Sequence, residues 1–263
     1  MRSVKEFAAA KQDSRKIVML TAYDAWSARL LADAPVDCLL VGDSAMMVVH
    51  GQKDTLSATV ELMALHTRAV ASAARGKFIV TDLPFLAARK GVTHALDAAA
   101  QLMRAGAQAV KIEGVRGHAD VIAHLVESGI PVMGHLGLQP QSVHALGGYT
   151  VQAREEEDAA RLREDVETLE KAGAFAVVLE CIPRKLASTV TAAATIPTIG
   201  IGAGAGCDGQ VLVLHDLLGF NPEFRPKFAR RFADGAKLVR DGVEKFAQTV
   251  RDGTFPSGKE SFE

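Results

Sequence analysis

Residues 78–84 have the sequence FIVTDLP and residues 109–114 have the sequence AVKIEG, with THALDAAAQLMRAGA at residues 93–107 between them. The two short runs are apolar without polar alternation, which is typical of parallel strands that are buried on both faces. The Ala-rich stretch has the composition of a helix and contains Gly106 near its end, where a helix C-cap favours glycine. Strand, helix and strand in this order predict a parallel β-α-β unit.

The same alternation extends over the rest of the chain. Helical patterns occur at residues 61–76 and 155–174, and further apolar runs end in or near polar residues. These runs are IVMLTAYD (17–24), CLLVGDS (38–44), PVMGHLG (131–137), AVVLEC (176–181), TIGIGAG (198–204) and VLVLHD (211–216). Eight such runs in a chain of 263 residues predict a single (β/α)8-barrel domain over residues 1–263. A short N-terminal helix and a C-terminal helical extension at 227–250 complete this prediction.

An open doubly wound sheet is the alternative fold. That fold normally carries its Gly-rich loop after the first strand, whereas here GIGAGAG (200–206) follows the seventh run. The position of these glycines therefore favours the barrel. After a seventh barrel strand, glycines can bind phosphate or can let the backbone approach a flat substrate closely, and we favour close approach.

Composition excludes several classes of function. The formal net charge is -1, from 30 basic and 31 acidic residues, so no basic surface for nucleic acid or for anionic membrane lipid is expected. The N-terminal segment lacks the apolar region of a signal peptide, and no apolar run approaches the length of a membrane-spanning helix. Three cysteines without metal-type spacing fit a reducing compartment. We expect a cytoplasmic enzyme with small-molecule substrates.

Three acidic side chains end neighbouring predicted strands. Asp43 ends the second run, Asp82 lies in the third and Glu113 in the fourth. Active sites of barrels lie at the carboxyl ends of the strands, and carboxylates that converge there repel one another unless a cation lies between them. Oxygen ligands favour a hard ion, so we predict one Mg²⁺ per subunit, bound by these three residues.

Lys111 and Glu113 are two residues apart, so both side chains point to the same side of a strand. Lys111 has three possible roles: an interior ion pair with a carboxylate, a contact with a substrate carboxylate, or a Schiff base.

Glu180 ends the apolar run FAVVLE (175–180). A carboxylate in apolar surroundings suits a general base near neutral pH, and we predict Glu180 as the catalytic base. His135 either donates a hydrogen bond to the substrate as a neutral imidazole or has a structural role. His215 and Asp216 end the eighth run, where a structural, strand-ending role is expected.

Several segments together resemble the ketopantoate hydroxymethyltransferase family. They are TAYD (21–24), LLVGDS (39–44), TDLPF (81–85), VKIEG (110–114), GHLGLQPQSV (134–143), GGYTVQ (147–152), LECIP (179–183), IGIGAG (199–204), DGQVLVLHD (208–216) and PKFA (226–229). They occur in the family's order from about residue 17 to the C-terminus, and such an ordered set is highly specific.

The resemblance implies a metal-dependent barrel of the phosphoenolpyruvate/pyruvate type, usually a homodecamer. It implies transfer of a hydroxymethyl group from 5,10-methylenetetrahydrofolate, a co-substrate, to 3-methyl-2-oxobutanoate, giving 2-dehydropantoate and tetrahydrofolate in pantothenate and coenzyme A biosynthesis. Asp43, Asp82 and Glu113 match the family's metal positions. Asp43, Ser44, Asp82 and Lys111 match its oxo-acid contacts, and Glu180 matches its proton acceptor.

The sequence departs from the family's usual residues at Met46, Gln52, Ser57 and Ala153, whereas the metal and base positions are unchanged. These departures concern the folate pocket. Three other functions are considered: a Mg²⁺-dependent lyase or aldolase that acts on a 2-oxo acid without folate, a Schiff-base aldolase that uses Lys111, and a non-catalytic scaffold. Acidic clusters in clefts favour catalysis over a scaffold.

Overall fold

The computed structural model describes residues 1–223 and 226–263. In this part of the chain, parallel strands close into a barrel in their sequence order, as predicted. They are β1 (Ile17–Thr21), β2 (Cys38–Val41), β3 (Phe78–Asp82), β4 (Ala109–Glu113), β5 (Val132–Gly137), β6 (Ala176–Glu180), β7 (Thr198–Ile201) and β8 (Gly209–Leu212). β8 pairs with β1 in the register Ile17↔Gly209, and this pairing closes the barrel.

Helices follow most of the strands. The helices of the described residues are α1 (Val4–Gln12), α2 (Ala25–Ala32), α3 (Ala45–Val48), α4 (Val60–Ala73), α5 (Val92–Arg104), α6 (Ala119–Glu127), α7 (Glu156–Lys171), α8 (Arg184–Ala193), α9 (Leu214–Leu218) and α10 (Gly235–Arg251). A 3-10 turn also spans Pro140–Ser142. The helical patterns predicted at 61–76, 93–107 and 155–174 are confirmed as α4, α5 and α7.

The β-α-β unit around α5 shows how the sequence specifies this arrangement. All residues of β3 and β4 are buried, because barrel side chains fill the inside and helices cover the outside. Ala98, Ala99 and Leu102 form part of the buried face of α5. Gly106 then has φ +113°, and a Cβ there would lie 2.5 Å from the Cβ of Ala71. Glycine is needed at this helix end for both its backbone conformation and its packing.

The amino-terminal end of the barrel is closed by α1. Its Phe7 is fully buried and packs edge-to-face against Phe78 at 5.3 Å and Phe175 at 5.1 Å between ring centroids. Lys11 at the end of α1 forms an ion pair with Asp208, at 2.7 Å between Nζ and Oδ2. The short N-terminal helix therefore serves as an apolar plug of the barrel.

Two predicted boundaries near the C-terminus are wrong. The eighth strand ends at Leu212, and His215 and Asp216 lie on α9 instead of ending a strand. The run VLVLHD is apolar over too few residues for periodicity to distinguish a strand from the start of a buried helix. The C-terminal helix also begins at Gly235, well after residue 227, with Asp234 accepting a hydrogen bond from the backbone N–H of Lys237 as its N-cap.

The described residues group into two compact units, Met1–Val213 with the barrel and Leu214–Glu263 with α9 and α10. The single-domain organisation over 1–263 stays a prediction. No helix among residues 1–223 and 226–263 is both long and apolar enough to cross a membrane.

Candidate active site

The predicted site residues converge at the carboxyl ends of β2 to β6. The strand register places Asp82 beside Lys111, Glu113 beside His135, and Gly137 beside Glu180. Asp43 follows the end of β2, and its backbone N–H donates a hydrogen bond to Oδ2 of Asp82 at 3.0 Å. The barrel register thus brings together side chains that are far apart along the chain.

Most of these polar side chains are buried. The exposed fraction is 4% for Asp43, 2% for Asp82, 5% for Lys111, 7% for Glu113 and 2% for His135. Charged groups are rarely buried unless they are paired or bind an ion. The contacts of each side chain therefore indicate what this end of the barrel can bind.

Lys111 forms the ion pair that was one of its predicted roles. Its Nζ lies 2.9 Å from Oδ1 of Asp82 and 3.1 Å from Nδ1 of His135. Burial alone would lower the pKa of Lys111, but the negative charges of Asp82, Glu113 and Asp43 outweigh burial and raise it. The side chain is therefore an ammonium ion at neutral pH.

His135 lies between the carboxylates of Glu113 and Glu180. Its Nε2 lies 3.0 Å from Oε2 of Glu180, and its Nδ1 lies 3.5 Å from Oε1 of Glu113. Burial and the charge of Lys111 lower the pKa of His135, whereas its contacts with the carboxylates of Glu113 and Glu180 raise it, with a net rise to about 9. The short contact between Lys111 and Nδ1 instead requires a neutral ring, since an ammonium can only donate. We take the tautomer from this contact: the proton lies on Nε2 and is donated to Glu180.

Asp43 carries the strongest electrostatic conflict in the site. Burial raises its pKa well above the ordinary value, and the charges of Asp82 and Glu113 raise it further. Lys111 is a single positive charge among three carboxyl groups, and Oε1 of Glu113 is buried without a hydrogen-bond partner. Surplus negative charge and an unpaired carboxylate oxygen are the features that a bound cation would satisfy.

Protein groups already occupy part of this carboxylate cluster. Among the described residues, no three His, Cys, Asp or Glu side chains are arranged around a common point as metal ligands. Lys111 contacts Asp82, while Gln141 contacts both Asp43 and Glu113. The assignment of Asp43, Asp82 and Glu113 as metal ligands therefore stays a prediction, supported by the chemistry of the donors.

Gln141 was missed by the sequence reasoning. Its side-chain amide donates to Oδ2 of Asp43 at 2.8 Å and to the carbonyl oxygen of Leu83 at 3.0 Å. Its backbone N–H donates to Oε2 of Glu113 at 3.0 Å. The 3-10 turn that begins at Pro140 presents both groups. The segment GHLGLQPQSV was noted only for its family resemblance, and no local pattern distinguishes Gln141 within it.

Tyr23 was also missed as a neighbour of the site. Its phenol lies 2.8 Å from Oγ of Ser44, and its side chain is almost fully buried. This contact fixes the position of the hydroxyl of Ser44 next to Asp43. The segment TAYD contained the residue, but sequence alone does not pair positions 23 and 44.

Glu180 lies at a tightly packed turn. A Cβ at Gly137 would lie 2.2 Å from the carbonyl oxygen of Glu180, so glycine is required where β5 passes β6. Cys181, directly after Glu180, has φ +46°, a conformation that costs a non-glycine residue about 1–2 kcal/mol. The hydrogen bond from the backbone N–H of Cys181 to the carbonyl oxygen of Ile201 helps to hold this turn.

Two further loops bear on the sequence expectations. In the Gly-rich segment after β7, Cβ atoms at Gly204 and Gly206 would lie 2.7 Å from Cβ of Arg184 and 2.1 Å from Oγ of Ser188. These glycines allow close packing against α8, a reason that the sequence did not suggest.

Ala153, where the resembled family usually has glycine, has φ +53°. Its backbone thus keeps a conformation that glycine adopts more easily.

Comparisons with known proteins identify relatives of this chain. The family model described as ketopantoate hydroxymethyltransferase matches residues 2–258. A relative from Bdellovibrio bacteriovorus, named 3-methyl-2-oxobutanoate hydroxymethyltransferase, is 50% identical over 262 residues and covers 100% of both chains.

Two solved structures share the fold. Phosphonopyruvate hydrolase in complex with oxalate and Mg²⁺ has a TM-score of 0.63 and 14% identity, covering 99% of this chain and 93% of that chain. A 2,3-dimethylmalate lyase of the PEP mutase/isocitrate lyase superfamily has a TM-score of 0.59 and 19% identity, covering 100% and 92%. These likenesses confirm the predicted (β/α)8-barrel fold. The family match over nearly the whole chain goes further: this chain belongs to the ketopantoate hydroxymethyltransferase family.

Proposed function

We propose that this chain transfers a hydroxymethyl group from 5,10-methylenetetrahydrofolate to 3-methyl-2-oxobutanoate, giving 2-dehydropantoate and tetrahydrofolate in pantothenate and coenzyme A biosynthesis. The observation that carries the proposal is the full-length match, at 50% identity, to a relative named for this activity. The polar cluster at the carboxyl ends of β2 to β6 supports it, because it holds groups suited to binding an anionic oxo acid and to moving a proton.

One Mg²⁺ per subunit fits this proposal. Asp43, Asp82 and Glu113 would hold the ion, and it would supply Lewis-acid stabilisation of negative charge on the 2-oxo acid. The surplus of buried carboxylates supports this assignment. Gln141 fixes Asp43 and Glu113 by hydrogen bonds, a role that outer residues of metal sites commonly have.

Glu180 is the group we assign as the base. Its carboxylate would accept the C3 proton of 3-methyl-2-oxobutanoate, leaving a nucleophilic carbon. That carbon forms a bond to the methylene carbon of the folate, and both bonds from this methylene carbon to folate nitrogens break. One nitrogen gains the proton removed from C3, and the other gains a proton from water. A water molecule supplies the hydroxyl oxygen of the product. The hydrogen bond from Nε2 of His135 orients the carboxylate of Glu180, so His135 is primarily a positioning residue.

Lys111 and Ser44 would bind the substrate. The ammonium of Lys111 offsets charge on the substrate carboxylate or on the developing enolate oxygen. Its ion pair with Asp82 and its raised pKa keep it protonated and therefore a poor amine nucleophile. This argues against a Schiff-base aldolase. Borohydride reduction with 3-methyl-2-oxobutanoate should leave the mass of the protein unchanged, whereas an adduct on Lys111 would favour the aldolase.

The decisive experiment is an assay of 2-dehydropantoate formation by the purified protein, with and without folate and Mg²⁺. Product should form only when 5,10-methylenetetrahydrofolate is present, and EDTA should abolish it. The alternative, a Mg²⁺-dependent lyase or aldolase acting on a 2-oxo acid, predicts turnover that requires metal but is independent of folate. Folate-independent cleavage or condensation would replace the proposal by this alternative.

A cytoplasmic homo-oligomer, with ten subunits as the family resemblance implies, completes the proposal. Self-association is supported by large apolar side chains that are exposed in the single chain, among them Trp26 and Leu30 on α2 and Leu238 and Phe246 on α10. Light scattering coupled to gel filtration measures the assembly, and a monomer of 27.9 kDa would contradict it.

A further inference from the structure

Two histidines outside the proposed active site have their ring nitrogens in contact. His50 follows the end of α3 and is exposed, whereas His66 lies on α4 and is half-buried. Their Nε2 atoms are 2.9 Å apart, and the ring centroids are 5.2 Å apart at an interplanar angle of 73°. The centroid separation equals the Nε2–Nε2 distance plus the distance from each centroid to its own nitrogen, so the two rings point directly at each other and share a hydrogen bond between their Nε2 atoms.

The tautomer of His66 is fixed by a backbone contact. Its Nδ1 lies 2.6 Å from the carbonyl oxygen of Tyr23, and a carbonyl oxygen can only accept a hydrogen bond. Nδ1 of His66 therefore carries a proton, and in the neutral ring the lone pair is on Nε2. A histidine that donates one ring N–H to a backbone carbonyl and offers the other nitrogen is the usual arrangement of a metal ligand.

We propose that His50 and His66 form a binding site for a transition-metal ion of the Zn²⁺ class, separate from the proposed Mg²⁺ site. Two imidazoles are soft enough for Zn²⁺, Ni²⁺ or Cu²⁺ and unsuited to Mg²⁺, which prefers oxygen. Zinc–nitrogen bonds of about 2.0–2.1 Å in a tetrahedral site place two ligand nitrogens roughly 3.3 Å apart. The ion would replace the proton that the two Nε2 atoms share, and the exposed ring of His50 would turn so that its Nε2 points at the ion.

The bound ion would join two segments beside the active site. His50 is hydrogen-bonded through its backbone N–H to the carbonyl oxygen of Ala45, so it is fixed to the end of α3. That helix begins directly after Asp43 and Ser44. An ion between His50 and His66 would tie this segment to α4, and water would complete the coordination shell. The proposal does not depend on the activity or on the Mg²⁺ assignment.

Equilibrium dialysis against Zn²⁺ in the presence of excess Mg²⁺ tests the site. Wild-type protein and His124→Gln, which replaces an exposed histidine on α6, should each hold one more Zn²⁺ per chain than His50→Gln and His66→Gln. The two pair variants should bind this ion at least about tenfold more weakly, because one imidazole replaces a chelating pair. Equal zinc in wild type and His50→Gln, or loss in only one of the pair variants, would overturn the proposal.

Two controls separate this result from folding defects and from the Mg²⁺ site. In EDTA, wild type and His50→Gln should have the same Tm, whereas Zn²⁺ should raise the Tm of wild type alone. The difference in bound Zn²⁺ between the protein with His50 and the His50→Gln variant should persist when both proteins also carry Asp82→Asn. If Asp82→Asn itself removes this zinc, the ion binds at the carboxylates and the histidine site is wrong.

Discussion

The two ends of the barrel are closed by opposite chemistry. At the amino-terminal end, Phe7 of α1 packs against Phe78 and Phe175, and burial of aromatic rings stabilises the fold without requiring hydrogen bonds. At the carboxyl end, buried space is filled by side chains such as Asp43 and Lys111, whose desolvation opposes folding. The aromatic end therefore stabilises the fold. The polar end carries a desolvation cost and electrostatic repulsion that a bound ligand can offset.

Substitutions at the two ends of the barrel should therefore have opposite effects on stability and on activity. A change at the aromatic end should lower stability while leaving the chemistry of folded molecules intact. A change at the polar end should lower activity or ligand affinity while leaving stability unchanged or improved. This separation follows from the barrel itself, because loops at the carboxyl ends of the strands vary without disturbing the opposite end.

The largest effect is expected for Glu180→Gln. Wild-type enzyme with Mg²⁺ should exchange the C3 hydrogen of 3-methyl-2-oxobutanoate with D₂O in the absence of folate, because the proposed mechanism removes this proton before the folate reacts. Glutamine keeps the shape but cannot accept the proton, so exchange and turnover should fall together by roughly 10²–10⁴-fold. Proton NMR of the C3 signal measures exchange, and Tm should stay within about 2 °C, corresponding to roughly 0.5–1 kcal/mol. An unaltered exchange rate would exclude Glu180 as the base.

Phe7→Ala should produce the opposite signature. Removing a fully buried aromatic ring should lower the free energy of unfolding by about 3–5 kcal/mol. The kcat of the folded fraction should be unchanged, since the ring lies at the end of the barrel away from the polar cluster. Urea denaturation and steady-state kinetics measure the two quantities, with Leu65→Ala on exposed α4 surface as a control. A kcat loss that exceeds the unfolded fraction would show that the two ends are coupled.

Gln141→Ala tests whether the polar end is positioned by uncharged neighbours. It removes the donor to Oδ2 of Asp43 but keeps the backbone N–H that binds Glu113. Mg²⁺ affinity, measured by calorimetry, should fall about 10–100-fold, the usual effect of losing an outer contact to a metal ligand. Gln248→Ala, which removes only a surface contact with Asp252, should have no effect. Unchanged Mg²⁺ affinity in Gln141→Ala would limit this glutamine to a structural role.

The smallest effect is expected for Asp43→Asn in EDTA. Burial and neighbouring carboxylates raise the pKa of Asp43, so the folded chain binds its proton more tightly than the unfolded chain. The contribution of the Asp43 carboxyl to the stability of the folded state is fully present below its pKa in the unfolded chain. It is lost as the pH rises through its pKa in the folded chain. Near pH 8, asparagine should therefore stabilise the metal-free protein by about 1 kcal/mol, roughly 2–4 °C in Tm.

The gain from Asp43→Asn should shrink toward pH 5, and Mg²⁺ should raise the Tm of wild type only. Thermal unfolding at the two pH values, with and without Mg²⁺, measures all of these differences. A variant less stable than wild type near pH 8 in EDTA would contradict the idea that the polar end opposes folding.

The polar residues at the strand ends were predictable because each one follows a local pattern in the sequence. Apolar runs without alternation identify strands buried on both faces, and the residue at the end of such a run must lie at the carboxyl edge of the barrel. Asp43, Asp82, Lys111, Glu113, His135 and Glu180 were placed in this way, and the structure brings them together. The boundary at β8 was wrong because a short apolar run is compatible with both a strand and a helix.

The sequence by itself determined the barrel, the order of its strands and which side chains face its carboxyl end. Only the tertiary structure decided which of these side chains touch. Gln141 reaches Asp43, 98 residues earlier in the chain, Tyr23 reaches Ser44, and His50 reaches His66. Such pairs depend on the register between strands and on the paths of the loops. Those features are set by packing of the whole barrel, whereas periodicity and composition report only on each segment's own burial.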